Sequence, residues 1–136
     1  MKVAIVYYSG TGNTEEMAKI LEGALMGKAD VEVFTSDSFT ADPSSFDAIL
    51  FGCPAMGNEV LEEESFEPMF SSLEGKLEGK KVGLFGSYGW GDGEWMRNWE
   101  DRVKEDGMNL VGSVIANEAP DDIARKELED LALSIL

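Results

Sequence analysis

Short apolar segments alternate with stretches of helical periodicity along the chain, and this alternation restricts the fold more than any other feature. Five segments rich in β-branched and aromatic residues are expected to be strands, at residues 3–8, 31–34, 48–52, 82–87 and 110–115. Apolar residues spaced three and four apart predict helices around residues 17–25, 66–73, 95–103 and 124–135. Strands that alternate with helices indicate a parallel sheet covered by helices on both faces, so we predict an α/β fold.

Three loops that follow predicted strand ends have an unusual composition. In an open parallel sheet, ligands bind beyond the carboxyl ends of the strands, at the point where the strand order reverses. Residues 9–14, 53–59 and 87–93 occupy such positions, and between them they contain glycines, hydroxyl groups, a methionine and a tryptophan. We therefore expect these three loops to form one binding site.

The loop SGTGNT, at residues 9–14, is expected to hold an anion with neutral groups. Its hydrogen-bonding and turn-forming residues are Ser9, Gly10, Thr11, Gly12, Asn13 and Thr14. A helix N-terminus carries unpaired N–H groups and about half a positive charge, which favours a bound phosphate. No Gly-Lys-Ser/Thr follows, and Glu15 stands where a dinucleotide-binding loop has its third glycine, so a phosphomonoester fits better than a triphosphate. The alternative is a glycine-rich turn that only caps the helix.

The other two loops offer surfaces for a flat ring. Met56 has a flexible, polarisable thioether, and Gly57 beside it can adopt backbone angles that are closed to other residues. Trp90 lies between Gly89 and Gly91, so few neighbours are available to bury it. The alternatives are that Met56 fills the core and that Trp90 packs onto the domain. Together the three loops predict a ligand with a phosphate at one end and a planar ring at the other, the shape of flavin mononucleotide (FMN).

The surplus of acidic residues excludes some classes of partner. The chain has 27 Asp and Glu against 11 Lys and Arg, which gives a net charge of -16. Such a charge repels nucleic acid and anionic lipid, so we expect protein partners with basic surfaces and no binding to nucleic acid or membranes. Five acidic residues lie close in sequence to the site loops and are expected to make the surroundings of the site negative: Glu59, Glu62, Glu63, Glu64 and Asp92.

Residue types that are rare or absent narrow the chemistry further. The chain has no histidine, which excludes Ser-His-Asp and Cys-His catalysis and the common zinc sites. The single cysteine, Cys53, cannot form an intrachain disulfide and is expected to be a small buried residue. Trp95 and Trp99 have the helical spacing of core residues.

The length of the chain suits a single hydrophobic core, so we expect residues 1–136 to form one domain. No apolar run has the length of a signal-peptide core or of a bilayer span, and a cytoplasmic location is therefore expected. We also expect the protein to be a monomer.

Three motifs make the chain resemble the flavodoxin family. They are YYSGTGNT (residues 7–14), GCPAMGNE (52–59) and LFGSYGWGDGEWM (84–96), and the resemblance runs from Met1 to the last helix. The chain resembles the short type of flavodoxin, which lacks an insertion in the last strand. The resemblance implies a doubly wound five-stranded parallel sheet of order 2-1-3-4-5, with FMN at the switch point, as is established for flavodoxins.

The resemblance also implies which residues bind the cofactor. The first loop would hold the phosphate with Ser87 as a further donor, and the ring would lie between Met56 and Trp90. Glu59 would accept a hydrogen bond from ring N3, and the Gly57–Asn58 peptide would turn its carbonyl toward N5. The residues implied to contact FMN are Ser9, Gly10, Thr11, Gly12, Asn13, Thr14, Pro54, Ala55, Met56, Gly57, Asn58, Glu59, Ser87, Tyr88, Gly89, Trp90 and Gly91.

The function implied by the resemblance is that of a low-potential one-electron carrier rather than an enzyme. Such a carrier cycles non-covalently bound FMN between semiquinone and hydroquinone, and it shuttles electrons from a donor oxidoreductase to an acceptor enzyme. The flavin supplies the chemistry, and the protein tunes it.

Three other functions remain as alternatives at the level of sequence. A flavin-dependent quinone or nitro reductase on the same fold needs a second pocket, and no spare segment is available to build it. A signalling receiver domain needs an acidic cluster after the first strand, where this chain has Tyr7, Tyr8 and Ser9. A chain that has lost its cofactor and only binds partners is disfavoured by the intact loops.

Overall fold

The computed structural model describes residues 1–136 and contains the predicted alternation of strands and helices. The strands are β1 (Lys2–Tyr7), β2 (Asp30–Thr35), β3 (Ala48–Gly52), β4 (Lys81–Tyr88) and β5 (Asn109–Asn117). The helices are α1 (Asn13–Leu25), α2 (Phe66–Leu73), α3 (Glu94–Glu105) and α4 (Asp122–Ser134). Only a short 3-10 turn at Pro43–Ser45 separates β2 from β3, since this connection is rich in Ser, Asp and Pro. No helix combines the length and the apolar character needed to cross a bilayer.

All five strands are parallel, in the order β2-β1-β3-β4-β5, which confirms the predicted fold class. The chain leaves β1 in one direction to form β2, and it then returns past β1 to add β3, β4 and β5 on the other side. The strand order therefore reverses at β1, and a crevice is expected above the carboxyl ends of β1 and β3.

The two faces of the sheet have different cores. The side covered by α1 and α4 is mainly aliphatic, with Ile5, Leu21 and Leu128 fully buried. The opposite side, covered by α2 and α3, is rich in aromatic residues that meet edge to face, as Phe51 does with Phe70 at 5.1 Å between ring centroids. Trp95 and Trp99 belong to this second core, each 2% exposed, as predicted from their spacing.

Helix α2 begins on a buried carboxylate. Glu62 is only 5% exposed, and its oxygens accept hydrogen bonds from the backbone N–H groups of Glu64, Ser65 and Phe66 at 2.7, 2.8 and 2.7 Å. These donors lie at the start of the helix, where no residue of the helix itself accepts from them. Glu62 was expected to add negative charge around the site, and the structure shows in addition that its carboxylate caps the start of α2.

Arg102 on α3 holds α2 through two carboxylates and a ring. Its guanidinium donates to both oxygens of Glu67 at 2.7 Å and to Glu74 at 2.6 and 2.8 Å. It also lies 4.9 Å from the centroid of the Phe70 ring. The guanidinium lowers the pKa of both carboxyl groups. The planar guanidinium can form paired hydrogen bonds with both carboxylates at once, and the ammonium group of a lysine could not reproduce them.

We predict that Arg102→Lys lowers the free energy of unfolding by about 1–2 kcal/mol, because it breaks paired hydrogen bonds to partly buried carboxylates and the stacking on Phe70. Urea unfolding at neutral pH measures the change. Arg97→Lys on the same helix is the matched control, since Arg97 pairs with Asp92 at an exposed position. Equal effects of the two substitutions would contradict the prediction.

A second prediction concerns Asp106, which follows α3 and interacts with Glu74. The pKa of Asp106 is raised to about 6, first by its side-chain interaction with Glu74 and then by burial. The stabilisation from a protonated Asp106 is full below the pKa of an unfolded aspartate, and it is lost as pH rises through about 6. We expect Asp106→Asn, whose amide donates at every pH, to remove this part of the pH dependence. Thermal unfolding measured between pH 5 and 7.5 tests this prediction. Plots of Tm against pH that run parallel for the variant and the wild type would refute it.

Candidate functional site

A cavity of about 420 Å³ opens beyond the carboxyl ends of the central strands, at the predicted crevice. Ten of the residues predicted to form the site line it: Gly10, Thr11, Asn13, Thr14, Pro54, Ala55, Met56, Ser87, Tyr88 and Gly89. The other seven do not line this cavity, although they belong to the same three loops: Ser9, Gly12, Gly57, Asn58, Glu59, Trp90 and Gly91. No basic side chain lines the cavity.

The loop after β1 is held by Ser9 and turns at Gly12. The Ser9 hydroxyl oxygen accepts hydrogen bonds from the backbone N–H groups of Gly12 and Glu15 at 3.1 and 3.2 Å. Gly12 has a φ of 97°, which other residues rarely adopt, and it precedes the first residue of α1 without offering a side-chain cap. Ser9 therefore replaces the missing cap, and the first turn of α1 lies beside the cavity.

Two buried hydroxyl groups join α1 to the end of β4. Thr14 and Ser87 are 1% and 5% exposed, and their side-chain oxygens lie 3.2 Å apart. The backbone N–H of Ser87 also points to the Thr14 hydroxyl at 3.4 Å. Both residues line the cavity, so its floor presents neutral donors that are fixed by each other. This arrangement suits an anion that is bound without a cationic side chain.

The loop after β3 is anchored from α3. The indole N–H of Trp95 donates to the carbonyl oxygen of Cys53 at 3.1 Å, and both groups are buried. The Cys53 thiol is buried as predicted, and burial raises its pKa well above its usual range. Beyond it the chain makes a tight turn, in which the backbone N–H of Met56 donates to Val60 at 3.0 Å. Met56 is 36% exposed, so the alternative in which it fills the core is wrong.

The predicted special backbone of Gly57 does not occur at that residue. Gly57 has no positive φ, and a Cβ added to it would meet no atom within 4 Å. The left-handed conformation lies instead at Glu59, with a φ of 52°. The physical reason is the turn itself, since the backbone N–H of Glu59 donates to the Met56 carbonyl at 2.7 Å and closes the turn at Glu59.

The loop after β4 exposes the ring of Trp90, and the Glu59 carboxylate lies against it at Gly91. Trp90 is 67% exposed, so the alternative in which it packs onto the domain is wrong. Gly91 has a φ of 90°, and a Cβ there would lie 2.1 Å from Oε1 of Glu59. The positive φ of Gly91 favours glycine, and the missing Cβ leaves the space in which the Glu59 carboxylate lies against this loop. Oε1 of Glu59 is buried and has no hydrogen-bond partner in the protein.

A fourth loop, after β5, completes the cavity and was missed in the sequence. Glu118 and Ala119 line the cavity, and the backbone N–H of Glu118 donates to the Tyr88 carbonyl at 2.8 Å. Glu118 has a φ of 58°, and with Glu59 it is one of two non-glycine residues with a positive φ. The rule that ligands bind beyond strand ends applies equally to β5 and could have identified this loop. Its lack of glycines and aromatic residues gave no compositional signal.

Comparison with known proteins supports the resemblance noted in the sequence. The model of the Flavodoxin family matches residues 5–130. The flavodoxin of Megasphaera elsdenii is 53% identical over 96% of this chain and 97% of its own length, and that of Clostridium beijerinckii is 44% identical over 92% and 93%.

Solved structures agree with this result. The solution structure of two-electron reduced M. elsdenii flavodoxin has a TM-score of 0.87 and covers 96% of this chain and 97% of that protein. Oxidised flavodoxin 2 of Bacillus cereus is 26% identical and has a TM-score of 0.86, covering 99% and 97% of the two chains. The fold, the cavity beyond its strand ends and these matches together show that the chain belongs to the flavodoxin family.

Proposed function

We propose that the chain is a low-potential one-electron carrier, which cycles non-covalently bound FMN mainly between semiquinone and hydroquinone. As a flavodoxin it is an FMN-binding electron-transfer protein rather than an enzyme. In this role it would exchange electrons between a donor oxidoreductase and an acceptor enzyme.

The observation that carries the proposal is the composition of the lining of the 420 Å³ cavity. The lining combines the start of α1 and the hydroxyls of Thr14 and Ser87 with the side chains of Met56 and Tyr88. A ligand that fills it needs a phosphate that accepts from neutral donors and a flat body that packs against a thioether. FMN has both parts, and the flavin supplies the electron chemistry when it is bound.

The residues present fit this cofactor. Oε1 of Glu59 is a buried acceptor without a protein partner, and such a group normally has a donor in the working protein. A flavin carries a suitable donor at N3. We propose that the start of α1, Thr14 and Ser87 hold the phosphate, that Met56 and Trp90 lie on either side of the ring, and that Glu59 accepts from its edge.

Negative charge close to the site would make addition of an electron harder. At about 12 Å, a carboxylate repels a negative charge by roughly 0.3 kcal/mol in water and by about 1.4 kcal/mol at an effective dielectric near 20. The second value corresponds to about 60 mV for one electron. The carboxylates free to act in this way are those of Glu59, Glu63, Glu64 and Glu118, because Glu62 caps α2 and Asp92 pairs with Arg97 at 3.0 Å.

The domain organisation, oligomeric state, location and partners of the carrier can also be proposed. We propose that residues 1–136 act as one domain and as a monomer in the cytoplasm, and that its partners present basic surfaces to the exposed Trp90 edge. The net charge of -16 supports basic partners, since opposite charges speed encounter. Rates of electron exchange should then fall as salt is added.

We predict that the purified chain binds FMN and takes up two electrons in separate steps. The first step should give the semiquinone before hydroquinone appears, and the second should lie at the lower potential. A spectroscopic redox titration under nitrogen measures both. A single two-electron step would contradict the proposed cycle, and failure to bind added FMN would contradict the whole function.

A separate prediction concerns the phosphate end. Thr14→Val removes a buried hydroxyl with little change of shape, so we expect the dissociation constant for FMN to rise roughly 10- to 100-fold, as for loss of one hydrogen bond to a charged group. Binding of riboflavin, which has no phosphate, should change little. Fluorescence titration with both flavins tests the difference. The exposed residue Thr40 gives the control Thr40→Val, and equal losses for FMN and riboflavin would contradict the assigned role.

A further inference from the structure

A small cavity lies beside the Glu59 segment and is lined by residues of α2 and α3. It measures about 160 Å³ and is separate from the larger one. Its polar lining comes from Glu59, Glu67, Asn98, Trp99 and Arg102, and Val60 is among its apolar residues. This volume is several times the roughly 30 Å³ that a water molecule occupies in the liquid.

Two buried polar atoms without a protein partner belong to residues that line this cavity. They are Nε1 of Trp99, a donor, and Oε1 of Glu59, an acceptor, and only one other such side-chain atom exists in the chain. Trp99 is 2% exposed, so bulk solvent does not satisfy its N–H group. Buried donors and acceptors in native proteins almost always have a partner, either in the protein or in ordered water.

The chemistry of the two atoms selects the ligand. The Trp99 N–H needs an acceptor and the Glu59 oxygen needs a donor, and a single molecule that can both accept and donate would satisfy the two atoms together. A metal cation cannot accept from an N–H group, and an anion would be repelled by the carboxylates of Glu59 and Glu67. Water meets both requirements, and it needs only two to four polar partners.

We propose that this cavity is a binding site for ordered water, which accepts a hydrogen bond from Trp99 Nε1 and donates one to Glu59 Oε1, an oxygen whose second lone pair remains available to the flavin donor proposed above. The water joins α3 to the loop after β3 and holds the Glu59 carboxylate in place. If FMN binds as proposed above, the same water also weakens the negative charge that Glu59 presents to the ring. This last consequence rests on the proposed function, whereas the water site does not.

The three tryptophans of the chain make the proposal testable in one sample. In the FMN-loaded, 15N-labelled protein, the indole N–H of Trp90 is exposed, that of Trp95 donates to the Cys53 carbonyl, and that of Trp99 faces the proposed water. Each signal is assigned by its Trp→Phe variant. We expect a direct cross-peak between water and the Trp99 indole proton, of the sign typical of bound water, and none at Trp95.

The competing arrangement gives a distinct result. Trp99 meets the rings of Phe66 and Phe70 edge to face, at 5.4 and 5.8 Å between centroids. An N–H directed at either ring face would show an indole proton shifted upfield and no cross-peak to water. That result would overturn the proposal, while binding of FMN by the same sample would leave the proposed function intact.

A matched pair of variants tests the proposed hydrogen bond from the water to Glu59. Glu59→Met keeps the length of the side chain and removes its acceptor oxygens, so it should reduce the water cross-peak at Trp99 by roughly twofold or more. Glu63→Met makes the same change at an exposed neighbour and should leave the cross-peak unchanged. An unchanged cross-peak in Glu59→Met would show that the water does not depend on Glu59 and would overturn the proposed bridge.

Discussion

The carboxyl ends of parallel strands meet at one edge of the sheet, and the whole site depends on that meeting. The strand order reverses at β1, so α1 leaves the edge on one side while the chain continues through β3, β4 and β5 on the other. Four loops consequently surround one cavity. The two hydroxyls that line it, Thr14 and Ser87, are 73 residues apart in sequence and meet only because the carboxyl ends of β1 and β4 lie at the same edge of the sheet.

The loops are rich in glycine, yet hydrogen bonds from the surrounding structure hold them. Ser9 caps α1 from outside the helix, and Trp95 fixes the Cys53 carbonyl from α3. The two left-handed non-glycine residues, Glu59 and Glu118, both lie in loops of this site. Such conformations persist only where the surrounding contacts determine them, and they are concentrated at functional positions. Contacts within the protein therefore hold the loops of the site in shape.

The acidic residues serve two different purposes that composition cannot distinguish. Glu62 starts α2, and Glu67 with Glu74 holds Arg102, so these charges stabilise the fold on the aromatic side. The remaining exposed carboxylates near the site are free to repel an added electron and to attract a basic partner. The proposed tuning of the flavin thus rests on a minority of the acidic residues, and a count of them overstates their effect.

The sequence by itself determined the alternation of strands and helices, the fold class, the burial of Trp95, Trp99 and Cys53, and three of the four site loops. These features follow from local periodicity and from residue types within a few positions of each other. The tertiary structure alone decided that Glu62 is a cap, that the left-handed turn lies at Glu59 rather than Gly57, that Glu118 lines the cavity, and that Thr14 meets Ser87. Each of these depends on contacts between distant segments or on the exact closure of a turn, and residue identity along one segment does not encode either of them.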